Sequence, residues 1–119
     1  MPMINLQVSF AVSPEGKESI AKELGQLIGL MSGRSEKYLM VGINDGLTHY
    51  LAGKKLERAA FMDLRLLGRE SEKGQEAFIV AAQAAISKLL DIPIGNIYSN
   101  ILELPHWGAR GIYETADKF

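Results

Sequence analysis

A proline directly behind an initiator methionine is the first feature of this chain that could do chemistry. Small residues at the second position generally allow methionine to be removed, which would leave Pro2 with a free secondary amine. An α-amine titrates nearer neutrality than a lysine does, so it can accept and return a proton under mild conditions. Such a base must also be held still. Ile4, Leu6, Val8 and Phe10 alternate with Asn5, Gln7 and Ser9 in the period-two pattern of a half-buried strand, which would tether the amine.

The remaining inventory narrows the chemistry. The absence of cysteine excludes disulfides, a thiolate nucleophile and any sulfur-ligated metal or cluster. His49 and His106 do not stand at metal-ligand spacing, so no metal site is expected. A net charge of −1 gives no electrostatic case for nucleic acid or an anionic membrane as partner. No run is long and apolar enough to span a bilayer, and the first residues lack the basic and hydrophobic regions of a secretory signal, so a cytoplasmic location is expected. At 119 residues and 47% hydrophobic content the chain reads as one folded domain over residues 1–119.

The elements that must position Pro2 occur in two passes of one pattern. In the first, the strand from Met3 to Phe10 is followed by Ser13-Pro14-Glu15-Gly16, a helix N-cap with proline in the first turn. Ile20, Leu24, Leu27, Ile28 and Met31 mark one helix face, and Gly33 is placed to end it. "KYLMVGIND" then supplies a strand with Leu39, Val41 and Ile43 on one side. The second pass runs from "AAFMDLRLLG", with Met62, Leu64 and Leu66 inward. Its helix is capped at Ser71 and faces inward through Phe78, Ala81, Ala82, Ala85 and Leu89, and its last strand is "DIPIGNIYSNILEL".

Two β-α-β repeats, about 1–46 and 59–104, make an α+β fold: a four-stranded mixed sheet with two helices on one face. "NDGLTHYLAGKKLER" has the length of a short hairpin or edge strand, and "PHWGARGIYETADKF" has room for another strand or a tail. Two helices cover one sheet face only. The other must be polar or covered by a further subunit, and an apolar patch of Leu102, Leu104, Trp107, Ile112 and Tyr113 favours an oligomer.

Met1-Pro2 before a strand, the doubled unit, "SGRSEKYLMV", "LLG" and "IPIGNIYSN" occur in an order that resembles the tautomerase superfamily, and within it macrophage migration inhibitory factor and D-dopachrome tautomerase. The resemblance covers essentially the whole chain. It implies a homotrimer with active sites at subunit interfaces, each built round an N-terminal proline as general base. Carried over by position, Pro2 is that base, and Arg34 stands where the family has a lysine. Leu67 would contribute backbone groups to the pocket, and Tyr98 and Asn100 would come from a neighbouring subunit. The implied activity is cofactor-independent keto-enol tautomerisation of a small carboxylate-bearing carbonyl compound, of the phenylpyruvate type.

The residue types suit that chemistry. Burial and a neighbouring cation both disfavour a charged amine, so Pro2 beside Met3, Leu67 and Arg34 would have a lowered pKa. Arginine can hold a carboxylate through two parallel hydrogen bonds, and Asn100 can donate to an oxygen that gains negative charge as the enol forms. The sequence also departs from the family pattern. Ser35 replaces the usual proline, the thiol motif of some members is missing, and Ile112 and Tyr113 stand where a pocket tryptophan is common. His106 and Trp107 are expected to be structural. Two rival readings remain: a cytokine-like or regulatory binding protein on the same trimer, and a ferredoxin-like small-molecule sensor domain.

Overall fold

The computed structural model describes residues 1–117 and 119. The strands are β1 (Pro2–Val8), β2 (Met40–Asn44), β3 (His49–Leu51), β4 (Lys54–Leu56), β5 (Ala60–Leu67), β6 (Ile97–Leu104), β7 (His106–Ala109) and β8 (Ile112–Thr115). The α-helices are α1 (Pro14–Leu27) and α2 (Glu72–Leu90). Lys118 lies outside the described residues.

The main sheet has the order β2-β1-β5-β6. β1 runs parallel to β2, β5 runs parallel to β6, and β1 meets β5 antiparallel, with Pro2 opposite Leu66 and Val8 opposite Ala60. The two strands of each β-α-β unit are therefore neighbours. A ferredoxin-like sheet would set another strand between them, so that alternative is overturned.

Alternation makes the sheet two-sided. Ile4, Leu6, Val8, Met62, Leu64 and Leu66 face the helices and are inaccessible to solvent. They meet Ile20, Leu24, Ile28 and Met31 from the first helical segment and Phe78, Ala82 and Ile86 from α2. Both helices begin as the sequence indicates: the Ser13 and Ser71 hydroxyls accept from the Gly16 and Gly74 N–H groups, each at 3.0 Å. Two details differ. α1 ends at Leu27 and continues as a 3₁₀ turn over Ile28–Leu30, so Gly33, at φ 77°, closes the connection after that turn and not the helix itself. The inner row of α2 runs through Phe78, Ala82, Ile86 and Leu90 at intervals of four, leaving Leu89 exposed.

A shift of 58 residues relates the halves in detail. It carries the pair Met3–Met40 onto Phe61–Tyr98, and the β3–β4 pair His49–Leu56 onto the β7–β8 pair Trp107–Glu114. It also carries the hydrogen bond from the Val12 N–H to Asp45 onto that from the Glu70 N–H to Glu103, both 2.7 Å. Each hairpin turns on two residues of positive φ, Ala52-Gly53 in one and Arg110-Gly111 in the other.

Candidate active site

Pro2 begins β1 and is buried at the end of the sheet where Leu66 and Leu67 finish β5. The Leu67 peptide unit joins the pieces. Its N–H donates to the Met1 carbonyl (3.1 Å), and its carbonyl accepts from the Arg34 Nη2 (2.8 Å). The next residue, Gly68, has φ 89° and an N–H that donates to the Leu104 carbonyl (2.8 Å), which turns the chain out of the sheet.

A cavity of about 530 Å³ opens here, lined by Met1, Pro2, Met3, Lys37, Tyr38, Leu39, Met40, Trp107, Gly108, Ala109 and Arg110. β1 and β2 provide its floor, the turn before β2 one wall, and the β7–β8 hairpin the other. The wall is largely apolar. The cations at its edge are Lys37 and Arg110, which lie 5.4 and 5.3 Å from the centre of the Tyr38 ring.

The amino group of the chain, carried here by Met1, has its pKa lowered from the ordinary 8.0, first by burial and then by the Arg34 charge. Glu114 and Glu70 act in the opposite sense. Arg34 is itself tied down. Its Nε donates to a Glu70 carboxylate oxygen at 2.7 Å, and the two side chains are only 9% and 7% exposed. It supports the cavity from behind and is not among the residues lining it.

Pro2, Arg34 and Leu67 are thus brought together within one chain. Tyr98 and Asn100 are not with them. Pro2 pairs with Leu66 and Leu66 with Glu103, so Tyr98, five residues earlier on β6, is about 16 Å away along the strand direction. Both lie on the sheet face away from the helices, where Tyr98 is 61% exposed. Tyr98 instead lines a second cavity of about 280 Å³, with His49, Tyr50 and Phe61 among its walls. Of the C-terminal aromatics, Trp107 faces the first cavity, whereas Tyr113 is exposed and stacks on His106 at 5.8 Å. Sequence reasoning missed Trp107, Lys37, Tyr38 and Arg110. The available signal was the Arg110-Gly111 pair, a two-residue turn that makes a β7–β8 hairpin of the C-terminal segment.

No carboxylate and imidazole cluster able to hold a metal ion occurs among the described residues. No helix among them is long and apolar enough to cross a membrane.

No family model and no curated protein sequence matches the chain. Solved structures do. MIF2 of Leishmania major superposes with a TM-score of 0.89 at 21% identity, covering 96% of this chain and 97% of that one. A macrophage migration inhibitory factor-like protein of Entamoeba histolytica gives 0.82 at 22%, covering 95% and 98%. A fused 4-OT described as an asymmetric trimer gives 0.82 at 17%, covering 96% and 95%. At these identities the likeness is one of architecture: the chain has the fold of macrophage migration inhibitory factor and the tautomerase superfamily.

Proposed function

We propose that the protein is a cofactor-independent keto-enol tautomerase of the phenylpyruvate type, in which Pro2 becomes the general base once Met1 is removed. The observation that carries this reading is the amino end of the chain on the floor of a largely apolar cavity, where burial and Arg34 lower its pKa.

The free amine takes a proton from the carbon beside the substrate carbonyl and returns it to another atom. Removing Met1 would also free the Leu67 N–H from its present acceptor. That group then points toward the space vacated and can donate to oxygen as the enolate forms. Arg34, held by Glu70, adds to burial in favouring the uncharged amine and fixes the Leu67 carbonyl. Tyr98 and Asn100 complete the pocket from a neighbouring subunit of a homotrimer. The exposed face of β6 supports that assignment, as does the trimer named for the fused 4-OT of the same fold.

The test is the intact mass of untagged protein, followed on the same sample by an enol-to-keto assay with phenylpyruvate. Loss of Met1 together with turnover supports the proposal. Retained Met1 would make the Pro2 nitrogen an amide, and would turn the reading to a binding protein on the same scaffold.

A further inference from the structure

We propose that Lys37 and Arg110 bind an anionic group of the substrate that lies several bonds from the reacting carbon, so that the preferred substrate is an enolisable carbonyl compound with a distal carboxylate. This deepens the tautomerase reading and rests on it.

Arg34 is poorly placed to read a substrate charge from the cavity. It is almost fully buried, its Nε is matched by Glu70, and its Nη2 is committed to the Leu67 carbonyl. Lys37 and Arg110 stand differently. The ion pairs among the described residues join Lys17 to Asp45, Arg34 to Glu70 and Arg65 to Asp63, so neither cation has a carboxylate partner. Both lie against the Tyr38 ring in the lining of the cavity that holds Pro2. Both residues are exposed to solvent, whereas the Arg34 side chain is nearly buried behind the cavity.

The internal repeat provides a control for whether the scaffold itself needs these cations. The 58-residue shift that relates the strand registers carries the first cavity onto the second. Pro2 and Met3 fall on Ala60 and Phe61, and Tyr38 and Met40 on Asn96 and Tyr98, all of which line the second cavity. Lys37 falls on Gly95 and Arg110 on Ala52. Ala52 has φ 54° and Arg110 φ 52°, so the same left-handed turn forms with a methyl side chain in one copy and a guanidinium in the other. Tyr38 carries two cations, whereas Asn96 serves the backbone, donating to the Arg58 carbonyl at 3.0 Å. The copy keeps the backbone and lacks the amine and both cations, so the fold does not require them. Their presence around Pro2 alone fits recognition of an anion.

The experiment compares phenylpyruvate with 4-carboxyphenylpyruvate in the wild type and in the Lys37→Gln, Arg110→Gln and double variants. The expected result is a wild-type preference in kcat/KM for the distal carboxylate. That preference should fall about tenfold with each charge removed, while the thermal midpoint holds. A preference that is absent, or that survives the double variant, overturns the proposal. Trp107 is the sole tryptophan and lines the cavity, so its fluorescence supplies a readout independent of turnover. Terephthalate should bind more tightly than benzoate, and the double variant should lose that difference. If neither keto acid is turned over, the tautomerase reading fails. The terephthalate titration then still decides the anion site.

Discussion

Arg34 and Glu70 form a nearly buried pair behind the cavity, with Nε 2.7 Å from the carboxylate oxygen. Glu70 is fixed in turn, because its N–H donates to Glu103 at 2.7 Å and its carbonyl accepts from Gln75 at 3.1 Å. One acid thereby links the turn after the first helical segment to the start of α2 and the end of β6.

Removing the acid leaves a buried guanidinium unmatched. Glu70→Ala is therefore expected to lower the unfolding free energy by about 3–5 kcal/mol. Glu70→Gln, which keeps an acceptor oxygen, should cost less. Urea denaturation of the two variants beside the wild type measures this, and coincident midpoints would show that the pair contributes little.

The same pair also acts on the pH range of the base, after burial. Burial first, and then Arg34, lowers the pKa of the amine carried by Met1, and the same setting should draw the acid limb of kcat/KM below the range of an exposed amine. Arg34→Met removes a cation that lowers the amine pKa and should move that limb to higher pH. Glu114→Gln removes an anion that raises it and should move the limb lower. Shifts in the reverse order would place the titrating group elsewhere.

Pro2→Gly keeps a free α-amine but loses the ring that fixes it. A loss of about 10²–10⁴ in kcat is expected for a base displaced from its working position. If each pocket draws on two subunits, mixing Pro2→Gly chains with Asn100→Ala chains and allowing exchange should restore activity that neither has alone. Recovery no greater than the sum of the parts would confine the site to one chain.

At the far end of β2, Asp45 accepts from the Val12 N–H at 2.7 Å and pairs with Lys17 at 3.4 Å. The Val12 bond first, and Lys17 after it, hold the carboxyl below its usual 3.8. A depressed folded pKa means the stabilisation is present above 3.8 and lost as pH falls through the folded value. Asp45→Asn should therefore flatten the acid side of the stability curve, as read from thermal midpoints between pH 2 and 6. An unchanged acid slope would assign the pH dependence to other groups.

Much of the fold was legible because its signals are local. Ser13 and Ser71 announce their helices within a turn, and alternation along residues 2–8 and 60–67 distinguishes inside from outside without any partner. The surroundings of Pro2 were only partly legible. Arg34 and Glu70 stand 36 positions apart on two connections, and nothing near either residue signals that they meet. Trp107 and Arg110 reach the cavity only because the β7–β8 hairpin folds back over β1, a tertiary event that strand periodicity does not encode. Leu89 was assigned inward because it continues an alanine-rich stripe. The buried row instead follows the i, i+4 spacing from Phe78 through Ala82 and Ile86 to Leu90, which turns Leu89 toward solvent.

The matched registers of the two halves also bear on where such a chain can be cut. Leu67 bonds the Met1 carbonyl and Ser9 bonds the Ala59 carbonyl, so the backbone entering β1 and that entering β5 occupy interchangeable settings. A circular permutant opened before residue 60, with proline installed there and residues 1 and 119 joined through a linker, would convert the Pro2 nitrogen into an amide and give the second cavity an amine. The side of the molecule that carries a free α-amine would then depend on chain order.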